Sequence, residues 1–208
     1  MFPVLAWEIV IKIDNAATIP NNIEINAFCL KGMYIMTKNI EEKNKEIMDS
    51  IVYAKRIQAA ILPPSKLVKE YLRDSFILYK PKDYVSGDFY WYKYIEKSND
   101  VILAISDCTG HGVPGAMVSV ICNNGLNRSV REYGLSDPGQ ILDKTREIVI
   151  QEFEKSEDEV KDGMDIAIAA INKHENIAQF AGAHNSAYII RSKENPDHAI
   201  QTMYQCME

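Results

Sequence analysis

The sequence has little positive charge, few cysteines and no long apolar run. Its 23 Lys and Arg residues are outnumbered by 29 Asp and Glu residues, which gives a formal net charge of -6. Nucleic-acid binding normally requires a basic face, so this balance argues against a nucleic-acid partner. The four cysteines have no CxxC spacing, so the sequence predicts reduced cytosolic thiols rather than a zinc site or a disulfide framework.

The N-terminal stretch MFPVLAWEIVIKI is apolar, but it has no positively charged start and it contains Glu8. Because a membrane-spanning helix needs about 20 apolar residues, we expect no targeting signal, no transmembrane segment and a cytoplasmic location. The chain has 208 residues, of which 47% are hydrophobic and 25% are charged. This composition is typical of a globular protein with one domain and an extension.

Three parts are predicted along the chain. Residues 1–38 form an N-terminal extension or the remnant of an upstream domain, with two strand-like stretches, VLAWEIVIKI and AFCLKGMYIM. Residues 39–64 form a linker helix that Asn39 is expected to cap and that Pro63-Pro64 ends. Residues 65–208 form the main domain.

The linker helix, at 39–62, has an apolar stripe. Its members recur every seven residues, at Ile40, Ile47, Ala54 and Ile61. A stripe of this kind fits packing on the domain core, and it also fits a homodimer through this helix.

In the main domain, apolar runs and turn residues predict strands, then helices, then further strands. Strands are predicted at 76–81, 87–95, 101–107, 165–171, 177–182 and 186–191, and helices at 114–132 and 138–155. This order indicates an α+β fold in which helices pack on antiparallel sheets.

The most informative stretch is VILAISDCTGHGVPGAM. Its apolar beginning, Val101 to Ile105, predicts a buried strand that carries Asp107 into a glycine-rich turn. Gly110 and Gly112 let the backbone turn tightly or come close to a ligand. A carboxylate at such a strand end loses little rotamer freedom when it binds a hard cation, so Asp107 is a candidate metal ligand.

A second acidic turn comes earlier, in VSGDFYW, where Gly87 frees the backbone just before Asp88. If the strand that follows Asp88 pairs antiparallel with the one ending at Asp107, both aspartates lie at the same edge of the sheet. Two carboxylates there could share one divalent ion or bridge two. Ligands that are all oxygen atoms favour Mg²⁺ or Mn²⁺ over zinc.

Four motifs, VSGDFYW, SDCTGHGVPGAMVS, KDGMDIAIAAIN and AGAHNSAYIIR, closely resemble the SpoIIE-like branch of the metal-dependent protein phosphatases, the PPM family. The resemblance runs from about Asp49 to Arg191, in order and with compatible spacing. It also includes the linker helix, which resembles the segment that introduces such domains in multidomain signalling proteins. The resemblance implies an αββα sandwich, with the metals at one end of its two sheets.

The resemblance also implies a reaction and a set of site residues. The reaction is hydrolysis of phosphoserine or phosphothreonine on a bacterial signalling protein, such as an anti-sigma-factor antagonist, by water activated at two Mn²⁺ or Mg²⁺ ions. Asp88 and Asp107 correspond to catalytic, metal-binding aspartates, and the backbone carbonyl of Cys108 corresponds to a further oxygen ligand. Asp165, in the DGMD motif, is either another metal ligand or an acid that caps the next strand.

Two motifs of the family, an SDG motif and a later Asp-Asp pair, do not follow Arg191, and Asp197 lies in a polar, proline-containing stretch. We therefore expect a partial sandwich that is incomplete at its C-terminus. The alternative is a catalytically inactive fragment that acts, if at all, as a regulatory or protein-interaction module. His111 fits a loop-shaping role better than proton donation, and His184 fits a hairpin turn.

Overall fold

The computed structural model describes residues 21–155, 162–172, 174–190 and 200–203, with the backbone alone at 21–28, 189–190 and 200–203. The chain divides into two compact units, residues 1–48 and residues 49–208. Helix α1, Asn21–Ile61, contributes residues to both. Nowhere in the described parts of the chain is a helix long and apolar enough to cross a membrane.

The second unit contains the remaining elements. The helices are α2 (Ser65–Tyr71), α3 (Gly112–Arg131) and α4 (Pro138–Phe153), and the strands are β1 (Phe89–Ile95), β2 (Asp100–Cys108), β3 (Met164–Asn172), β4 (Ile177–Ala183), β5 (Ala187–Ile190) and β6 (Ile200–Met203). Strands β1 to β4 form an antiparallel sheet in chain order, and β5 pairs with β6 in a separate two-stranded sheet.

The core lies between the four-stranded sheet and helices α3 and α4. Alternate residues of the strands point to this side, and the largest side chains there are almost completely buried: Phe89, Ile102, Leu126, Ile141 and Ile168. The opposite face of the sheet is covered at one end by α2, where Val68 packs with Tyr92 and Val101. At its other end this face carries the aspartates described below.

Helix α4 begins where its sequence predicts. The side chain of Asp137 accepts a hydrogen bond of 2.9 Å from the backbone N–H of Gln140, and Pro138 occupies the first turn. An acidic cap followed by proline satisfies a free N–H and presets the backbone angle of the helix. The helix therefore starts at the Asp-Pro pair.

The predicted α+β fold is confirmed, and so are the two helices and the strands near 87–95, 101–107, 165–171, 177–182 and 186–191. The pairing of β1 with β2 is antiparallel, as expected. Asn99, in the turn between them, adopts the left-handed conformation with φ 57°, which asparagine tolerates. The division of the chain at residues 38 and 64 stays a prediction.

The predicted beginning of the linker helix is wrong. Helix α1 already includes Asn21, so AFCLKGMYIM is helical rather than a strand, and Asn39 lies inside the helix instead of capping it. Apolar residues at Leu30, Met33 and Tyr34 have helical spacing, and leucine and methionine favour helices. The stretch VLAWEIVIKI and Asp197 lie outside the described residues.

The strand predicted at 76–81 is also wrong, because these residues are irregular. Phe76 is 86% exposed and Leu78 is 75% exposed. A strand is stable only when a neighbouring strand completes its hydrogen bonds. A short apolar run does not determine whether such a neighbour exists. His184 does not lie in a hairpin turn, since β4 and β5 belong to different sheets.

Candidate active site

Three aspartates lie side by side at one end of the four-stranded sheet. Phe89 of β1 is opposite Ser106 of β2, so Asp88 comes next to Asp107. Asp107 is in turn directly opposite Asp165 of β3. Residues opposite each other on neighbouring strands point to the same face, with Cβ atoms about 5 Å apart. The register therefore places Asp88, Asp107 and Asp165 in one row.

This row lies on the face of the sheet that points away from the core. Along β2, Ser106 and Cys108 are buried whereas Asp107 between them is exposed. Asp165 is likewise exposed and its neighbour Ile166 is buried. The strand alternation thus presents the carboxylates to solvent while their neighbours anchor the strand ends in the core.

The turn that carries Asp88 touches the glycine-rich turn that follows Asp107. A Cβ atom on Gly87 would lie 2.8 Å from the carbonyl oxygen of Gly110 and 2.9 Å from that of Cys108. Both distances are shorter than any ordinary contact of a side chain. Gly87 is therefore required for the close approach that brings the Cys108 carbonyl next to the Asp88 turn.

A second connection ties the glycine-rich turn to the DGMD motif. The backbone N–H of Thr109 donates to the Gly163 carbonyl at 2.9 Å, and the Gly163 N–H donates to Oγ1 of Thr109 at 3.1 Å. Asp107, Asp162 and Asp165 line a shared cleft of about 390 Å³ beside these bonds. The reciprocal bonds hold the beginning of β3 against the end of β2, where the row of aspartates lies.

Another cavity, of about 520 Å³, opens from Asp88 and Asp107 along the same face of the sheet. Its walls are mainly apolar and aromatic, with Leu103, Ile105 and Tyr90 on the floor. Asn185, in the connection between β4 and β5, also borders this cavity. Asn185 lies between the strands predicted at 177–182 and 186–191, and the fold brings this connection to the cavity that Asp88 and Asp107 border.

The Asp107 carboxylate disfavours the negative charge of its neighbour Asp88. Partial burial raises the pKa of Asp88 above its ordinary value of 3.8, and the hydrogen bond and charge of Asp107 raise it further. A proton or a cation between the two groups removes this repulsion. The pair therefore has a built-in preference for binding a positive species.

The residues present fit a hard divalent ion. Asp88, Asp107 and the Cys108 carbonyl offer oxygen atoms alone, and Mg²⁺ typically uses one or two protein carboxylates while it keeps several waters. Within the described parts of the chain, no three His, Cys, Asp or Glu side chains converge on one point that could hold a metal. The structure brings the predicted ligands together, and their roles as ligands stay predictions.

His111 pairs with an acid outside the row of aspartates. Its Nδ1 lies 3.1 Å from Oδ2 of Asp83, and the His111 side chain is largely exposed. The residue occupies the N-cap position of α3 without a side-chain hydrogen bond to that helix. This contact fits the loop-shaping role of His111, which stays a prediction.

We expect the Asp88→Asn variant to differ in its pH dependence of stability from the wild-type chain when both are metal-free. Because the pKa of Asp88 is raised in the folded state, the folded chain holds this proton more strongly than the unfolded chain does. Asp88 thus has no net effect at low pH, and it destabilises the fold progressively as pH rises from its unfolded pKa through its folded pKa.

Asn cannot ionise, so Asp88→Asn should gain stability over the wild type as pH rises, by a small amount because the site is partly exposed. Urea denaturation at about pH 3 and about pH 7 measures this difference. A stability difference that is the same at both pH values would contradict the raised pKa.

Comparisons with known proteins place this geometry in context. A sequence model described as Stage II sporulation protein E (SpoIIE) matches residues 97–203. Among solved structures, the SiaA-PP2C domain of Pseudomonas aeruginosa is 30% identical with a TM-score of 0.65, and the match covers 78% of this chain and 62% of that one. This chain therefore spans less than two thirds of the length of that domain. The search of curated proteins gave no match.

Proposed function

Because the chain belongs to the SpoIIE family of PPM-type phosphatases, we propose that it hydrolyses phosphoserine or phosphothreonine on a bacterial signalling protein, such as an anti-sigma-factor antagonist. The observation that carries the proposal is the row of Asp88, Asp107 and Asp165 set by the strand register. Phosphoryl transfer depends on positioning and on neutralising charge. A row of carboxylates on rigid strand ends is suited to both, since it can hold cations at a fixed place.

In this proposal Asp88 and Asp107 hold Mn²⁺ or Mg²⁺ together with the Cys108 carbonyl, and Asp165 extends the row towards a second ion. The ions, when bound, would neutralise charge on the phosphoryl oxygens and lower the pKa of water. The contact of Gly87 with the Cys108 and Gly110 carbonyls keeps the Asp88 turn and the glycine-rich turn at a fixed distance. The apolar cavity beside Asp88 would accept side chains that flank the phosphorylated residue.

The test is phosphate release from a phosphoserine peptide by the unmodified chain, with Mn²⁺ and with a chelator. We expect turnover that saturates with Mn²⁺ and that the chelator stops. A phosphotyrosine peptide of the same sequence is the control for substrate class. No Mn²⁺-dependent release from the phosphoserine peptide would overturn the proposal and leave the inactive regulatory or interaction module as the function.

The exposed apolar residues of α1 support a homodimer through this helix. Ile40 is 54% exposed and Ile47 is 57% exposed, whereas Ala54 and Ile61 of the same stripe are half-buried. Core packing thus accounts for the C-terminal part of the stripe and leaves the N-terminal part for a second copy of the helix.

We also place the protein in the cytoplasm, since the described cysteines Cys29, Cys108 and Cys122 are unpaired.

Ile47→Asp is expected to convert the dimer into a monomer, because it puts a charge in the exposed part of the apolar stripe. The neighbouring Met48, which points about 100° away around the helix, provides the control Met48→Asp. Light scattering on the purified chains gives the molar mass directly. A wild-type chain that is already monomeric, or an Ile47→Asp variant that stays dimeric, would contradict dimerisation through this stripe.

A further inference from the structure

Gln58, near the end of α1, is a buried polar residue. The hydrogen bonds described for its side chain all join it to residues outside α1. Its side chain is 5% exposed. The amide Nε2 donates to the carbonyl of Ser86 and to Oγ of Ser119 at 3.1 Å, while Oε1 accepts the backbone N–H of Ser86 at 3.0 Å. Both backbone polar groups of Ser86 are therefore bound by one side chain.

Ser86 comes two residues before Asp88 and is bonded to it. Its Oγ accepts the backbone N–H of Asp88 at 3.0 Å. On the other side of the turn, Gly87 rests against the carbonyls of Cys108 and Gly110. The turn that presents Asp88 is thus held by two contacts. The Gln58 amide binds the backbone of Ser86, and the glycine-rich turn packs against Gly87.

The burial of an amide at this point needs a reason. An apolar side chain of similar size would fill the space without desolvating a donor and an acceptor, so a buried amide is favourable only when its partners need it. The partners here are the N–H and C=O of Ser86, which would otherwise be buried without any hydrogen bond described for them. Ser119 completes the arrangement, because its hydroxyl donates to Ala116 O at 2.8 Å and so offers its oxygen to Gln58.

We propose that Gln58 is a positioning residue that fixes the Ser86–Asp88 turn so that the Asp88 carboxylate meets a metal ion together with Asp107. This inference rests on the proposed function and adds to it a link between α1 and the metal site. Groups that orient metal ligands typically account for about 10- to 100-fold in metal affinity. A sequence signal exists as well, since Gln58 interrupts the apolar run around IQAAIL.

The experiment compares Gln58→Met with Asn127→Met, in the full chain. Asn127 is a matched control on α3: its amide also makes three hydrogen bonds, two to Asn123 and one to Trp91, and none reaches the Ser86–Asp88 turn. Isothermal titration with Mn²⁺ gives the dissociation constant, and thermal unfolding gives the stability of each variant. We expect Gln58→Met to weaken Mn²⁺ binding about tenfold or more, and Asn127→Met to change it less than about twofold.

A second variant, Gln58→Asn, covers the case in which Gln58→Met does not fold. Asn keeps the amide, but its side chain is one methylene shorter and cannot reach the Ser86 N–H and C=O as closely, so we expect an intermediate loss of Mn²⁺ affinity. With a phosphoserine peptide, the Mn²⁺ concentration for half-maximal turnover should be lowest for the wild type, higher for the second variant and highest for Gln58→Met. The KM for the peptide should stay within about twofold in all three.

The outcomes separate the two proposals. If the unmodified chain binds Mn²⁺ and the Gln58 variants bind it equally well, the positioning role is wrong and the proposed function stands. The same conclusion follows if the Gln58 and Asn127 variants lose Mn²⁺ affinity equally for an equal loss of thermal stability. If the unmodified chain binds no Mn²⁺, the proposed function and the positioning role are both overturned.

Discussion

Replacing Asp107 with Asn is expected to lower kcat/KM for a phosphoserine peptide by about a thousandfold or more. Asp107 is the middle member of the row, with Asp88 on one side and Asp165 on the other, so it would help to hold an ion beside either neighbour. Stabilisation by a bound metal contributes several kcal/mol to such reactions, and about 4 kcal/mol corresponds to a thousandfold.

The same variant should keep its fold. Asn has nearly the shape of Asp, and Asp107 is exposed, so the core is not disturbed. Removal of one of two adjacent negative charges also relieves the repulsion that raises the pKa of Asp88. We therefore expect metal-free Asp107→Asn to unfold at the same temperature as the wild type or slightly above it.

Asp100→Asn is the matched control. Asp100 begins the same strand at its opposite end, where its Oδ1 accepts a hydrogen bond from Nδ2 of Asn172 at 2.9 Å. It carries the same charge and is far along the strand from the row, so its replacement should leave turnover within about twofold. Equal activity of Asp107→Asn and the wild type, or an equal loss in both variants, would show that the row is not the reaction site.

Gly115→Ala is expected to destabilise the fold by about 3 kcal/mol, the upper end of the usual cost of overpacking. A Cβ atom on Gly115 would lie 2.4 Å from the carbonyl oxygen of Gly110 and 3.2 Å from the Cα of Gly87. Both neighbours are backbone atoms and cannot rotate away. The first turn of α3 would have to move away from the glycine-rich turn at Gly110 and from the Asp88 turn at Gly87.

Gly139→Ala provides the comparison. Gly139 also lies in the first turn of a helix, α4, but a Cβ atom there would meet only the Asp137 carboxylate oxygen, at 3.3 Å. We expect its free energy of unfolding to stay within about 1 kcal/mol of the wild type, since alanine favours helices over glycine by about that amount. Urea denaturation measures both variants, and equal stabilities of the two would show that the turns adjust to Gly115→Ala without cost.

The sequence predicted those parts of the fold whose signals are local. Asp107 follows an apolar run and precedes a glycine-rich turn, and Asp137-Pro138 marks the beginning of α4; each feature is encoded within a few residues. The neighbourhood of Asp88 and Asp107 was also predictable, because a short turn at Asn99 forces the two strands to pair antiparallel. In these cases the chain near the residue determines its position.

The rest depends on contacts between distant residues. Whether Asp165 joins the row depends on the register between β2 and β3, because a slip of one residue would turn it to the other face. The apolar run near Phe76 met the criteria for a strand, but its side chains found no partner that would bury them. Gln58 interrupts an apolar run in the sequence, but only the fold shows that its amide binds the backbone of Ser86.

The chain connections between the three aspartates differ greatly in length, and this has a consequence for the order of folding. Asp88 and Asp107 belong to one hairpin, whereas α3 and α4 both lie between Asp107 and Asp165. Closing a short loop costs less entropy than closing a long one, so hairpin contacts form early and distant strand pairings form late. We therefore expect Asp88 and Asp107 to come together early in folding, before β3 docks and brings Asp165 beside them.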